Sequence, residues 1–408
     1  MKCRHCQTKL TLPLIDLGAA SPSNAYITKE SLHAPEKYFP LRVLVCTECW
    51  LVQTEDYTGA NDLFVVDYAY FSSFSTTWLK HAEQYVKDMV QRFALNTTSY
   101  IIEVAANDGY LLQYAKARGI RCLGIEPTTS TADAARTKGI EILEEFFGLA
   151  LAKQLVARDK QADLTVANNV LAHVPDINDF VAGFAVLLKP SGVSTFEFPH
   201  LLRLITENQF DTIYHEHYSY LSLTAVQRIF EHNGLQVFDV EELPTHGGSL
   251  RVYAQRKDSG KHGISHNVSR LLDLETVAGM NNEAFYAGFQ AKANKVKNDF
   301  LSFLIEAQRA GKSVAGYGAA AKGNTFLNYA GVRSDLMPYV VDRNPAKQDK
   351  FLPGCRIPIV AEAQLKQTRP NYVVILPWNL RMEVVEQLAY IREWGGQFVT
   401  AVPTFKVG

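Results

Sequence analysis

An α/β fold in three parts is what the sequence predicts, and three observations carry that expectation. Two paired motifs, Cys3-x-x-Cys6 and Cys46-x-x-Cys49, frame a turn-rich opening. From Ser99, apolar runs of four to six residues alternate with helical segments, as in parallel strands buried on both faces. Beyond a polar stretch over 257–266, the alternation begins again at Ser313. The expected parts are a zinc-binding domain over 1–65, a Rossmann-like cofactor-binding domain over 66–256 and a smaller Rossmann-like α/β domain over 257–408.

Pro13, Gly18, Pro22, Pro35, Pro40 and Gly59 punctuate the first part into short strands and turns. Helical spacing over 76–93 leads into the second. There the expected strands are 100–105, 122–125, 164–167 and 193–198, and the expected helices are 110–118, 131–138 and 178–188. A helix over 224–233 and strands over 237–242 and 250–255 close that domain. The polar stretch 257–266 is expected as a linker, followed by one long helical segment ending near Ala310. Strands at 313–317, 337–341, 372–376 and 397–401, with helices at 324–329 and 381–394, complete the third part.

A chain of 408 residues with 47% apolar content has enough material for two or three cores. A net charge of −1, with both signs mixed along the chain, gives no general pull toward nucleic acid or an anionic membrane. No run of eighteen apolar residues occurs, and residues 1–30 lack a secretory pattern, so a cytoplasmic protein is expected. Six cysteines fit that compartment: four lie in the pairs, while Cys122 and Cys355 stand alone. Two Cys-x-x-Cys turns supply four soft ligands at tetrahedral corners when a hairpin joins them. Cys3, Cys6, Cys46 and Cys49 are therefore the expected ligands of a structural zinc, closed to catalysis.

Ile101-Ile102-Glu103-Val104-Ala105-Ala106-Asn107-Asp108-Gly109-Tyr110 runs from a strand into a helix, and a second strand ends at Glu126. In a Rossmann-type unit the acid ending the second strand binds a ribose diol while the first turn passes beneath the cofactor. The turn lacks Gly-x-Gly-x-x-Gly, which counts against a dinucleotide pyrophosphate and suits S-adenosylmethionine. Glu103, Asn107, Gly109, Tyr110 and Glu126 are the expected cofactor residues. Asn168 and Asn169 join them, at the end of a later strand.

Six motifs in a fixed order make the chain resemble the bacterial sugar C-methyltransferases of deoxysugar biosynthesis, over nearly its whole length. They are the four cysteines, Tyr68-Ala-Tyr70-Phe71-Ser72-Ser73, Glu103 to Tyr110, Tyr214-His215-Glu216-His217, His246-Gly-Gly-Ser-Leu-Arg251 and Gly316-Tyr-Gly-Ala-Ala-Ala-Lys322-Gly. The resemblance implies a zinc domain, an S-adenosylmethionine domain and a C-terminal Rossmann-like domain. It also implies methylation at C-3 of a nucleotide-linked 4-keto-6-deoxy sugar, with Tyr214, Glu216 and His217 at the active site and Tyr68 reaching the sugar.

Carbon–carbon bond formation beside a ketone needs a base, a partner for the enolate oxygen and a methyl held in line. Histidine titrates near neutrality, so His217 is the first choice of base, with Glu216 orienting or assisting it. His173 stands as a second acid/base. An extended segment would send Tyr214 and Glu216 one way and His215 and His217 the other, so a turn is expected there. Tyr70 and Ser73, with Tyr68, form a hydroxyl-rich joint that suits a sugar lid. Arg251 is grouped with them, and Lys322 in its glycine loop offers an ammonium to phosphates. The substrate is expected between the second and third domains of a monomeric or weakly associating chain. Two other classes stay open: an NAD-dependent sugar-nucleotide oxidoreductase using the Gly316 loop, and a zinc-ribbon binding protein on a degenerate enzyme fold.

Overall fold

The computed structural model describes residues 1–55 and 71–408. Its strands are β1 (Leu12–Ala20), β2 (Phe39–Val45), β3 (Val52–Thr54), β4 (Tyr100–Val104), β5 (Arg121–Ile125), β6 (Glu141–Leu143), β7 (Ala162–Asn168), β8 (Leu188–Pro199) and β9 (Ser219–Tyr220). They continue as β10 (Leu235–Leu243), β11 (Ser249–Arg256), β12 (Val314–Tyr317), β13 (Val340–Val341), β14 (Ile359–Val360), β15 (Tyr372–Ile375), β16 (Gln397–Thr400) and β17 (Lys406–Val407).

Seven strands make the central sheet, in the order β10-β11-β8-β7-β4-β5-β6. All neighbours run parallel except β11, which is antiparallel to both β10 and β8. From β4 the chain moves outward through β5 and β6, then returns to the other side with β7. The order therefore reverses between β4 and β7, and open sheets of this kind leave a crevice outside the carboxyl ends at such a point. The C-terminal sheet, β14-β13-β12-β15-β16-β17, repeats the device between β12 and β15, with β17 alone antiparallel.

A four-stranded antiparallel sheet, β1-β2-β3-β9, joins the two units. Its last strand comes from the central region: Val52 pairs with Tyr220 and Gln53 with Ser219. Leu44, Leu51 and three of the cysteines pack into the core of the central unit, with Leu171, Phe180 and Phe230. Leu14, Ile15 and Val43 pack instead into the C-terminal core, with Phe300 and Phe326. The small sheet is a wedge with one face on each neighbour.

The expected single helical segment before Ala310 is divided. Helices His266–Ala278, Glu283–Tyr286 and Phe289–Arg309 are separated by left-handed residues at Gly279 and Gly288, a conformation glycine adopts without steric cost. The last of them buries Phe289, Ala293, Val296, Phe300, Leu304 and Ala307, a spacing of three and four that keeps one face inward. The first packs back on the central unit through Val268 and Leu271. The expected helix 381–394 is also broken, into an α-helix over Arg381–Gln387 and 3-10 turns over Ala389–Trp394. Of the expected strand 337–341 only Val340–Val341 pairs.

Candidate active site

The four cysteine sulfurs lie within 4.8 Å of one another, with Cys3 to Cys49 and Cys6 to Cys46 both at 3.5 Å. A tetrahedron with Zn–S bonds of about 2.3 Å has edges of roughly 3.8 Å, so the set fits the ion. The two turns are built alike. Gln7 and Trp50, each following its second cysteine, take positive φ (62° and 61°), and each donates its amide to the carbonyl of its first cysteine at 3.0 Å. Each turn thereby points two sulfurs at one spot. Burial raises the Cys46 thiol to about 11, whereas a hydrogen bond from Cys49 lowers Cys3 to about 4. Four thiolates this close need a cation between them.

In the cofactor loop, Ala105 and Asn107 take left-handed conformations (φ 58° and 49°), which turn the chain sharply out of β4. Glu126, at the end of β5, holds that loop: it accepts the Asn107 amide at 2.9 Å, the Thr128 amide at 3.0 Å and the Thr131 hydroxyl at 3.0 Å. Glu103 lies beneath, wholly buried; burial raises its carboxyl well above the ordinary range, against a hydrogen bond from Tyr110. Gly109 takes a positive φ of 73°, and a Cβ there would stand 2.4 Å from the Ile140 side chain and 3.2 Å from Ala135, so only glycine fits this turn. Asn168 ends the neighbouring β7, and both of its side-chain polar atoms are buried with no protein partner. Asn169 (φ 54°) also leaves its Oδ1 unpartnered. Orphaned amides at the strand reversal are what a polar cofactor would satisfy, and these residues fit S-adenosylmethionine.

Ser72 and Ser73 lie over the loop. The Ser72 amide donates to Asn107 Oδ1 at 2.9 Å and the Ser73 amide to Asp108 Oδ2 at 3.3 Å, while Lys138 donates to the Ser73 hydroxyl at 2.8 Å. Tyr68 and Tyr70 lie outside the described residues.

Tyr214–His217 forms the expected turn, closed by the His217 amide on the Tyr214 carbonyl at 2.9 Å. The turn brings the Tyr214 and His217 rings to 3.9 Å and sends His215 away, to the Phe39 carbonyl at 3.1 Å. Glu216 accepts from Asn24 Nδ2 at 2.7 Å, so the wedge sheet's own segment holds it. His217 Nδ1 lies 2.9 Å from the Thr212 carbonyl. A carbonyl only accepts, so Nδ1 carries the proton and Nε2 keeps its lone pair. The His173 ring stands 4.6 Å away, edge to face. Burial, with His173 and Lys322 adding to it, holds His217 well below its usual pKa; burial puts His173 at about 4. Both rings are half-buried yet desolvated, as in a narrow crevice between domains.

The C-terminal unit reaches this crevice from its own strand reversal. Trp378, just past β15, donates its indole N–H to Asp211 at 2.7 Å and abuts the backbone of Gly247. Lys322, in the first turn of helix Ala321–Ala330, donates to Asn379 at 2.9 Å and lies 4.7 Å from the centre of the Trp378 ring. In the glycine loop a Cβ at Gly318 would meet Pro377 at 2.4 Å, and Asp342 accepts the Ala319 and Asn344 amides at 2.8 Å.

Arg251 is buried against Glu197 at 3.2 Å and over the Tyr85 ring at 4.8 Å. Glu197 also takes His81 at 3.0 Å and the Thr245 hydroxyl at 3.2 Å. Burial pushes the Glu197 carboxyl up, but His81 and Arg251 outweigh it and the net shift is down. Sequence reasoning did not name His81, Glu197, Asp211 or Trp378. They are scattered over some three hundred residues with no shared spacing. His246, which burial lowers to about 4, was legible only inside its motif.

Three family models match: a putative zinc binding domain over residues 3–64, a methyltransferase domain over 78–240 and a C-methyltransferase C-terminal domain over 244–403. The curated C-methyltransferase NovU of Streptomyces niveus is 31% identical over 406 residues, covering 100% of this chain and 96% of that protein. The chain belongs to the C-methyltransferase family. It is an S-adenosylmethionine-dependent C-methyltransferase with a four-cysteine zinc-binding domain. Solved structures share less with it. A Pyrococcus horikoshii protein is 15% identical, covering 49% of this chain and 100% of its own, at a TM-score of 0.40. A magnesium protoporphyrin IX methyltransferase from Synechocystis with bound SAH is 16% identical, covering 44% and 83%, at 0.35. No helix among the described residues of this C-methyltransferase is long and apolar enough to cross a membrane.

Proposed function

We propose that the C-methyltransferase acts at C-3 of a nucleotide-linked 4-keto-6-deoxy sugar, in deoxysugar biosynthesis, with His217 as the base. The carrying observation is the Thr212 carbonyl on His217 Nδ1, which leaves Nε2 as a fixed acceptor beside Tyr214 and His173. S-adenosylmethionine supplies an electrophilic methyl; Asn168, Asn169 and Glu126 are the residues we assign to hold it. His217 Nε2 takes the C-3 proton, Tyr214 limits the ring's rotation, and Glu216, anchored by Asn24, fixes the turn. We assign the sugar to the crevice between the central and C-terminal units, with the divisions near residues 65 and 256, in a monomeric cytoplasmic protein. Tyr68, Tyr70 and Ser73 remain the proposed lid. The family models matched over 78–240 and 244–403 are methyltransferase domains, and they lend the oxidoreductase reading no support.

His217→Asn tests this. It should leave both ligands bound while turnover falls by roughly 10²–10⁴, the worth of a general base. Without cofactor in deuterated water, the wild type should wash deuterium into C-3 above the non-enzymatic rate and the variant should not. Exchange at the wild-type rate in a variant that fails to methylate would move the role to Glu216 or His173.

A further inference from the structure

A histidine held far below its usual pKa is a weak base, and a proton beside a ketone is a weak acid. The transfer between them needs something to hold the negative charge that appears on the ketone oxygen. One cation stands in the crevice with donors to spare. Lys322 has three N–H donors, and among the described residues one is spent, on Asn379. No carboxylate lies within ion-pair distance of it there. Asp211 is 1% exposed, and its Oδ1 has no partner. A desolvated ammonium and an orphaned carboxylate oxygen in one crevice both point to a ligand.

The surroundings decide which part of the ligand. The amides ahead of helix Ala321–Ala330 are occupied: Gly318 N on the Val341 carbonyl, Ala319 N on Asp342 and Ala320 N on the Gly318 carbonyl. Those three amides are therefore not open to a diphosphate. Lys322 acts on the titration of His217, His246 and Asp211. Its positive charge is felt at the His217 imidazole, so an oxyanion forming beside that base would feel it too. The scaffold is also shared. Lys322 rests on Trp378, Trp378 donates to Asp211, and Asp211 and Thr212 sit on the one 3-10 turn that fixes His217 Nδ1.

We propose that the Lys322 ammonium receives the oxyanion formed at C-4 of the substrate, which makes Lys322 a second catalytic residue beside His217 rather than a phosphate ligand. The inference rests on the C-3 reading above. The C-3 proton passes to His217 Nε2. The electron pair left behind becomes the C-3 to C-4 double bond, and the carbonyl pair moves onto O-4, where Lys322 donates a hydrogen bond and keeps its proton. The pair returns from O-4 as C-3 takes the methyl that S-adenosylmethionine would supply, its S–CH3 bond breaking with the electron pair left on sulfur as a neutral thioether.

The test is Lys322→Met, with Lys322→Arg beside it, assayed for C-3 deuterium exchange without cofactor, for methyl transfer, and for calorimetric binding of the free nucleoside diphosphate. The Met variant should lose roughly 10²–10³-fold in exchange and in turnover, the usual worth of one oxyanion donor. Its nucleoside diphosphate affinity should stay within about twofold, and Arg should restore part of the exchange rate. The melting temperature of each variant is recorded beside its rates, and if the Met variant does not fold, Lys322→Gln is read in the same way. Weakened nucleoside diphosphate binding with full exchange at saturating substrate would overturn the assignment and make Lys322 a phosphate ligand. A wild type that neither exchanges nor methylates any such sugar would sink the function reading itself, a distinct result.

Discussion

We assign two duties to the Glu126 carboxylate. It holds the Asn107 amide, and so the cofactor loop, while standing where a ribose diol is bound in sheets of this order. Glu126→Ala should weaken S-adenosylmethionine binding by about 1.5–3 kcal/mol, the value of a hydrogen bond to a charged group. Unchanged affinity by calorimetry would remove Glu126 from the cofactor site. The crevice histidines give a second prediction. His246 sits at about 4 through burial, below its unfolded value, so between those values the unfolded chain binds the extra proton. Stability from a neutral His246 is present at high pH and is lost as pH falls below the unfolded pKa of about 6.5. Relative to His246→Asn, the wild type should lose at most about 1.4 kcal/mol per pH unit between 6.5 and 4. Parallel unfolding curves for the two proteins over that range would contradict it.

Among the elements, the cysteine turns and the Tyr214–His217 turn are mechanically one piece. Thr54, on β3, donates its hydroxyl to the His217 carbonyl at 3.1 Å and its amide to the Tyr218 carbonyl at 3.1 Å. Arg4, inside the first cysteine turn, donates to the Pro175 carbonyl at 3.0 Å and lies over the Tyr218 ring. Cys46→Ser or strong chelation should therefore disorder more than the first domain. Amide exchange should rise in residues 217–220 along with 1–55, and turnover should fall with it. Purified protein should carry about one zinc per chain; a metal-free protein with full protection at Tyr218 and full activity would rule the coupling out. Sequence could show the cysteines because ligand spacing is local. It could not show β9, two residues whose strand character comes wholly from pairing with β3. Helix Leu149–Val156 and β6 also escaped, the first too short for a clear period and the second only three residues of edge strand. The parallel strands β4, β5, β7 and β8 were legible because burial on both faces leaves continuous apolar runs.

Across the molecule, two sheets present their strand reversals to one crevice, and a third sheet ties them. Contacts across to the C-terminal unit include Trp378 on Asp211 and Gly247, the Tyr26 hydroxyl on the Ala319 carbonyl at 2.6 Å, and Arg356 on Glu36 at 2.6 Å. Three of these seven residues, Ala319, Arg356 and Trp378, belong to the C-terminal unit. Trp378→Ala should loosen the Asp211 turn and lower kcat more than it lowers cofactor affinity, measured by steady-state kinetics beside calorimetry. Equal losses in both would mean that Trp378 serves only the fold.

The central claim, methylation of carbon C-3 of a nucleotide-linked keto sugar, is open to one direct measurement. The wild type is incubated with S-adenosylmethionine labelled with carbon-13 in its methyl and with a panel of nucleotide-linked 4-keto-6-deoxy sugars, and the product is read by mass spectrometry and carbon NMR. The account predicts one added methyl, its labelled carbon coupled directly to C-3, and no such product from His217→Asn. A labelled methyl on oxygen or on any other carbon, or no transfer to any member of a panel spanning the common nucleotides and isomers, would contradict it.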